Sequence, residues 1–234
     1  MARRSSYFRT LALWGAAGAA AYIYILRPWH LRWGATDEEV ERALPGDELV
    51  PQPKIKATHA VTIFAPSGKV WPWIAQIGQG RGGFYSYTWI ENRLLHLDIQ
   101  NAERILPEFQ NPKVGEQIPL APNGFGVPIA IVEPGRTLVA HGDTRVSQSP
   151  FPNMQPGDFI NASWGWYLEP MGERATRLIE RERIDYSPSL YNAIYMRAFL
   201  EPGAFLMARK MLLGIKQRAE KWTTWSAKGR AAPA

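Results

Sequence analysis

The sequence predicts an α+β fold in which a curved antiparallel sheet of about six to seven strands surrounds a long C-terminal helix, preceded by an N-terminal membrane helix. Three observations predict the domain. A strand-like segment and two helix-like segments open it, hairpin signals follow at short intervals, and a long segment with apolar residues at helical spacing closes it. Such a sheet needs cover on one face, and only the last helix is long enough to supply it.

The composition suits one folded domain with extensions, since 46% of the 234 residues are hydrophobic and 21% are charged. The absence of cysteine excludes disulfides, thiolate metal sites and cysteine nucleophiles. The net charge of +6 comes largely from residues near the two ends, which suits solubility or attraction to anionic lipids. No nucleic-acid-binding motif is present, so no nucleic-acid partner is expected.

An apolar stretch near the N-terminus predicts a single-pass membrane anchor within residues 1–27. Residues 11–26 carry no charge and read LALWGAAGAAAYIYIL. The stretch is shorter than the ~20 residues that cross a bilayer straight, so Arg9 would have to snorkel and Trp29 would mark the far interface. A cleaved signal peptide and a buried or interfacial helix are the alternatives. Arginines flank both ends, and the side of the membrane on which the domain lies stays open.

The segment 28–56 is predicted to be an acidic, proline-rich spacer beside the membrane. It contains one short helix, because Thr36 is a typical N-cap residue before DEEVERAL. The domain proper, residues 57–225, opens with a strand at 58–65, THAVTIFA, and a helix that begins after Pro66.

The glycine-rich stretch 78–83 follows a helix and lacks the spacing of a dinucleotide-binding loop. It therefore predicts a reversal of the chain, and no cofactor is expected. A second short helix is predicted at 86–95. Near its start, Tyr85, Tyr87 and Trp89 combine apolar bodies with polar tips, which suits contact with a ligand at a cavity mouth as well as plain packing.

Turn signals divide the next part of the chain into antiparallel strands. They lie at Asn123-Gly124, Pro134-Gly135 and Met171-Gly172, with a proline-rich loop at 147–157.

The closing helix is predicted at about 199–225, followed by a disordered tail at 226–234. Its apolar face is expected to form both core and cavity wall. Leu206, Leu212 and Leu213 are the residues expected to point inward.

The order of elements and several segments resemble the START-like or SRPBCC superfamily, whose members have a helix-grip fold. The resemblance is to its polyketide cyclase/dehydrase-like members and to a membrane-associated bacterial subgroup. The matching segments are HAVTIFAPSGKVWPWIAQIG, SWGWYLEP, TRLIERER and EPGAFLMARKMLLGIKQRAEKW. The resemblance implies an apolar ligand held between the sheet and the last helix, and it supplies no catalytic residue by motif.

The late strands supply candidate site residues. Trp164 and Trp166 alternate and therefore share one face of a strand. A tight turn at 171–172 would place Glu180 on the same face and Arg181 on the other, and a carboxylate in an apolar cavity would have a raised pKa. A slip of one residue would put the arginines inside instead. Solvent-facing ion pairs are the structural alternative.

The four histidines are scattered and show no metal-binding spacing, so no metal site is expected. His141, near Asp143, is a candidate base or ligand contact, with a satisfied loop histidine as the alternative. Glu91 is expected to be solvated or to cap a helix.

The resemblance and the predicted cavity together favour a membrane-anchored domain that binds or carries a small hydrophobic ligand, such as a lipid, an isoprenoid or a polyketide. An enzyme of cyclase, dehydratase or aromatase type would use the same cavity and would also need a positioned acid or base. A non-catalytic interaction domain is the third alternative. Whether the chain is an enzyme stays open at this stage.

Overall fold

The computed structural model describes residues 13–146 and 157–227 of the chain. Residues 1–12 of the predicted anchor, nearly all of the predicted proline-rich loop and residues 228–234 of the predicted tail lie outside the described residues.

Six antiparallel strands form one sheet in the part of the chain that the structure describes. They are β1 (Ile55–Ile63), β2 (Gln117–Pro119), β3 (Gly126–Glu133), β4 (Thr137–Asp143), β5 (Ile160–Met171) and β6 (Ala175–Tyr186). Their order across the sheet is β1-β6-β5-β4-β3-β2. The predicted antiparallel sheet is thus confirmed. All three predicted turns connect neighbouring strands, and Gly124, Gly135 and Gly172 have the positive φ angles that such turns require.

Within residues 13–146 and 157–227, four helices accompany the sheet. They are α1 (residues 13–30, with a π-helical turn at Tyr22–Leu26), α2 (Asp37–Glu41), α3 (Ser67–Ala75) and α4 (residues 190–227). Shorter turns lie at Asp47–Leu49, Ile90–Leu94 and Pro107–Phe109. Thr36 caps α2 as predicted, since its side chain accepts from the Glu39 backbone N–H and the Glu39 carboxylate accepts from the Thr36 N–H.

The closing helix α4 begins nine residues earlier than predicted. Ser189 caps it, and a π-helical turn at Met196–Leu200 joins its first part to Glu201–Ala227. Pro202 is the second residue after this turn. Proline has no N–H to donate and its ring clashes with the preceding turn of an α-helix, so a locally widened helix accommodates it. The regular α-helical period used for the prediction does not anticipate this.

The glycine-rich stretch closes a reversal of the chain, as predicted. The N–H of Gly78 donates to the carbonyl of Gly83 at 3.1 Å, and the reverse bond is 3.0 Å long. The predicted helix at 86–95 is shorter in the structure. It consists of residues 88 and 89 followed by the π-helical turn Ile90–Leu94.

The main core lies between the inner face of the sheet and helices α3 and α4. Trp166, Leu168 and Leu178 extend from the sheet, and Leu212 and Ile215 pack against them from α4. All five side chains are buried. This confirms that α4 covers the sheet, which is the defining feature of a helix-grip arrangement.

The segment predicted as a spacer packs on the sheet. The carbonyls of Leu31 and Trp33 accept from the N–H groups of Thr58 and Ala60 along the free edge of β1, at 2.8 and 3.1 Å. Beyond this edge, Asp47 reaches the outer face of the sheet and accepts from Arg181 at 2.7 Å. The segment therefore protects an edge strand and neutralises buried arginines on the outer face.

The predicted single-pass membrane localisation is corrected by the structure. Among residues 13–146 and 157–227, none of the helices combines the length and the apolar character needed to cross a membrane. Instead, the end of α1 joins the domain, where Arg27 donates to the buried Glu201 at 2.8 Å and His30 is buried. Trp29 packs edge-on against the ring of Phe205. The charge-free stretch is short, and the residues that follow it make tertiary contacts.

Candidate ligand-binding cavity

An open cavity of about 720 Å³ lies between strands β3 to β6 and the first part of α4. Small residues create the space, among them Gly126, Gly142 and Ala162 on the strands and Ala204 on the helix. A Cβ atom at Gly142 would meet only Val127, at 3.5 Å, so the sheet wall is not tightly packed there. Much of the remaining lining is apolar: Leu120, Phe125, Val127, Ile160, Met196 and Leu200.

A second, smaller cavity of about 250 Å³ adjoins the main one. The two share Leu120, Trp164, Glu182 and Ala204 as wall residues. Ala204, Met207, Ala208 and Met211 of α4 line the second cavity, and so does Glu91 on the π-helical turn Ile90–Leu94. Together the two cavities form a mainly apolar space with the carboxyl groups of Glu182 and Glu91 in its walls.

Glu182 lies where the cavities meet. It lines the main cavity, the second cavity and a narrow recess beside His59 and Glu201. Strand alternation puts Glu180 and Glu182 on the same face of β6, so the two carboxyl groups are neighbours and share a hydrogen bond. Burial raises the pKa of Glu182 to about 8, and the charge of Glu180 adds to the effect.

Glu180 lies behind Glu182 and is held by a buried polar network. Trp164 Nε1 donates to Glu180 Oε1 at 2.7 Å, and His59 Nδ1 lies 2.7 Å from Glu180 Oε2. The other ring nitrogen of His59 lies 2.9 Å from the His30 carbonyl oxygen, which can only accept. His59 can satisfy both oxygens if it donates from both nitrogens, as an imidazolium paired with the Glu180 carboxylate.

The pKa of His59 is consistent with this pairing. Burial alone would lower it, but the charge of Glu180 and its hydrogen bond outweigh burial, so the pKa is raised. His30 behaves in the opposite way, because burial and the nearby charge of Arg27 lower its pKa to about 4. Of the two histidines, His59 is therefore the one that carries a positive charge, and this charge is paired with the Glu180 carboxylate.

Glu91 is fully buried, and neither of its carboxylate oxygens has a hydrogen-bond partner among the residues that the structure describes. Burial raises its pKa to about 7. The expectation that Glu91 is solvated or caps a helix is wrong. The π-helical turn that carries it departs from the 3.6-residue period, so helical spacing does not predict its side.

The structure brings only some of the sequence-predicted site residues together. Trp164 lines both cavities, and Glu180 accepts a hydrogen bond from its indole N–H. Trp166 is buried in the core next to Trp164, with ring centroids 4.3 Å apart. His141 lies on β4, where its Nε2 contacts the Asn161 amide oxygen at 2.8 Å. The first predicted register is the one found, since Glu180 pairs with Trp166 and the arginines face outward.

The two tyrosines, Trp89 and the three leucines that were predicted to contact a ligand line neither the main cavity nor the second cavity. Tyr85 is buried and donates from its hydroxyl to the Trp73 carbonyl at 3.0 Å. Tyr87 lies under the Lys210 ammonium group. The other four occupy core or surface positions: Trp89 is exposed, Leu206 is half exposed, Leu212 is buried and Leu213 is partly buried.

Glu182 was not predicted as a site residue, although the alternation of side chains along its strand would have identified it. The strand IERER alternates acidic and basic residues, and the argument that places Glu180 inward also places Glu182 inward. The helix residue Met196 lies before the predicted start of α4 and could not be assigned from its predicted bounds, whereas Leu200 and Ala204 lie within those bounds and were not selected.

Similarity to known proteins is found among solved structures. No family model matches the chain, and no curated protein matches it. Solved structures that are similar include a protein from Mesorhizobium loti, with 18% identity over 70% of this chain and 97% of that chain and a TM-score of 0.37. A hypothetical protein from Helicobacter pylori has 10% identity over 76% and 95% and a TM-score of 0.45.

The Zhui aromatase/cyclase from a Streptomyces species is also similar, with 13% identity over 75% of this chain and 98% of that chain and a TM-score of 0.35. At such identities and scores these likenesses carry no argument about activity. The strand order and the long closing helix are those of the helix-grip fold. The resemblance to the START-like superfamily is thus confirmed as a resemblance in fold.

Proposed function

We propose that the chain binds a small, largely apolar molecule in the main cavity. The observation that carries the proposal is the open space of about 720 Å³ between sheet and helix. This volume lies in the range of small-molecule sites, and apolar walls with a few converging polar groups are typical of them. Here the polar groups are the Glu182 carboxyl and the residues that surround it. An open cavity also argues against an interaction domain with a filled interior.

Filling the cavity tests this proposal. Ala162→Trp adds an indole to the sheet wall of the main cavity, and Met171→Trp adds the same group at the exposed β5–β6 turn as a control. Nile red, a neutral apolar dye, should bind the unmodified protein with enhanced fluorescence. Its affinity should fall by at least about tenfold in Ala162→Trp and stay unchanged in Met171→Trp.

Two results would contradict ligand binding. One is the absence of saturable Nile red binding together with no small molecule released from the purified protein in mass spectrometry. The other is equal affinity in Ala162→Trp and the unmodified protein, with both melting cooperatively, because the dye would then occupy another surface.

An acid–base enzyme is the second candidate, and the Glu182 network favours it. A carboxyl group with a pKa of about 8 holds its proton at neutral pH, and Glu180, fixed by His59 and Trp164, orients that proton. Such a group can protonate a carbonyl or hydroxyl oxygen during a cyclisation or dehydration. Glu182→Gln should then lower the turnover of a bound substrate by about 100-fold or more while the substrate still binds. Unchanged turnover would reject this role.

A further inference from the structure

The charge of the cavity walls restricts the chemistry of the ligand. Among the described residues, no lysine or arginine lines the main cavity or the second cavity that adjoins it. The acidic residues that line them are Asp143, Glu182 and Glu91, and Asp143 is already paired with Arg145 at 2.6 Å. Glu91 and Glu182 therefore face the cavities without a cation of their own.

The Glu91 side chain is an independent indication of a missing partner. Both of its oxygens are buried and unpartnered, although buried polar groups in proteins are nearly always hydrogen-bonded. It lines the second cavity, and Glu182 lines the same cavity. A donor group in that cavity would therefore have both carboxyl groups in its walls.

Aromatic rings complete the surroundings. Trp164 and Phe84 line the second cavity, and their ring centroids are 6.2 Å apart. Phe125 lines the main cavity. Aromatic faces attract cations through their quadrupole, most strongly where water is excluded. Anionic ligands such as fatty acids or phosphates would meet two carboxyl groups and no compensating base.

We propose that the ligand is an amphiphilic cation, an apolar body with a protonated amine, and that the amine lies between Glu182 and Glu91. The inference rests on the proposed function, since it names the chemical class that the same cavity takes. The apolar body occupies the main cavity, and the ammonium group donates to the two carboxylates and lies beside Trp164.

Binding of a cation is coupled to proton release. Burial raises the pKa of both carboxyl groups, to about 8 for Glu182 and about 7 for Glu91, so each holds much of its proton at neutral pH. An ammonium ion interacts best with the ionised forms. The affinity for an amine should therefore rise with pH until both groups are ionised.

The other charged groups around Glu182 do not reverse the expected rise of amine affinity with pH. They are Glu180 on β6, His59 on β1 and Glu201 on α4, and Asp143 lies across the main cavity. His59 is paired with Glu180, and Arg27 with Glu201. A neutral ligand with an acceptor oxygen gives the opposite dependence, because it needs the protonated carboxyl groups as donors.

Three probes of equal length separate these possibilities: octylamine, octanol and octanoate. Octylamine stays charged throughout the range from about pH 6 to about pH 9, since alkylammonium groups titrate near the lysine pKa of about 10.4. Calorimetric titration at several pH values should show octylamine binding at least about tenfold more tightly than octanol near pH 8, and octanoate more weakly than both. Titrations in buffers of different ionisation enthalpy should show protons released with octylamine only.

Isosteric variants locate the amine. Glu182→Gln and Glu91→Gln should each reduce the preference for octylamine over octanol by about tenfold or more, with octanol affinity retained. Glu173→Gln, at the exposed β5–β6 turn, is the matched control and should leave the preference unchanged. Thermal melts verify that each variant is folded.

The outcomes distinguish the inference from the proposed function. Octanol binding as tightly as octylamine, with an affinity that falls as pH rises, would overturn the cation while leaving apolar ligand binding intact. A preference for octylamine that survives in both carboxyl variants would overturn the assigned site. Failure of all three probes to bind would overturn the proposed function together with the inference.

Discussion

Glu182→Gln should make the protein more stable, and more so as pH rises. Glutamine has nearly the same shape as glutamic acid and stays neutral at every pH. In the unmodified protein the pKa of Glu182 is raised from 4.5 to about 8, chiefly because the group is buried beside the cavity and next to Glu180. The folded state therefore favours the protonated form. Stability from this group is fully present below about pH 4.5 and is lost as pH rises through about 8.

The size of the loss follows from the two pKa values. One unit of pKa corresponds to about 1.4 kcal/mol, so a rise from 4.5 to about 8 limits the total to about 5 kcal/mol. The stability lost through ionisation of Glu182 depends on pH. About 1 kcal/mol is lost by about pH 5, about 3 kcal/mol by about pH 7 and nearly all of it by about pH 9. These values are upper limits, because some solvent reaches Glu182 through the open cavity.

Urea unfolding at about pH 5, 7 and 9 measures the effect. The unfolding free energies of Glu182→Gln and the unmodified protein should be close at the lowest pH and diverge as pH rises. Glu173→Gln, which changes an exposed carboxylate, should run parallel to the unmodified protein. A Glu182→Gln curve that is parallel as well would refute the reasoning, since it would mean that Glu182 ionises in the folded state as easily as in the unfolded chain.

Further predictions concern the residues around the cavity and the core, and urea unfolding measures all of them. His59→Leu leaves Glu180 buried without its cation and should cost about 3–5 kcal/mol near pH 7, most of which Glu180→Gln should restore in the double variant; additive losses would contradict the ion pair. Glu91→Gln should stabilise by up to about 3 kcal/mol at alkaline pH; a loss there would show that the carboxylate has a partner. Leu212→Ala should cost about 2–5 kcal/mol. Leu206→Ala, at a half-exposed position, should cost under about 1 kcal/mol; equal losses at the two leucines would contradict the orientation of α4.

Short sequence signals predicted most of the fold. Thr36 identified the start of a helix because its capping chemistry depends only on residues three positions away. Gly124, Gly135 and Gly172 identified the hairpin turns because few other residues adopt positive φ easily. The pairing of β2 with β3, β3 with β4 and β5 with β6 then followed from the short turns, and the length of the last helix identified what covers the sheet. Each of these signals lies within a few residues of the feature that it predicts.

The errors have physical causes that local sequence does not show. The apolar stretch at 11–26 was predicted to span a membrane because it carries no charge, although no helix among the described residues is long and apolar enough to do so. The contact that ties the end of α1 to the domain joins Arg27 to Glu201, 174 positions away, and local sequence does not show it. Glu91 was expected to be solvated or to cap a helix, whereas it is buried on the π-helical turn Ile90–Leu94 beside the second cavity. Long-range contacts and irregular helices thus limited the prediction of the site more than that of the fold.

The strand IERER determines the electrostatics of both faces of the sheet. Alternation sends Glu180 and Glu182 to the cavity side, while Arg181 and Arg183 point outward to the backbone carbonyls and Asp47 of the segment that covers the outer face. The register is fixed by unbroken pairing with β5 across the Gly172 turn. A shift of one residue would put two guanidinium groups into an apolar cavity and two carboxylates against backbone carbonyls. The covering segment therefore stabilises more than an edge: by accepting from the arginines on one side, it holds the carboxyl groups in the cavity on the other.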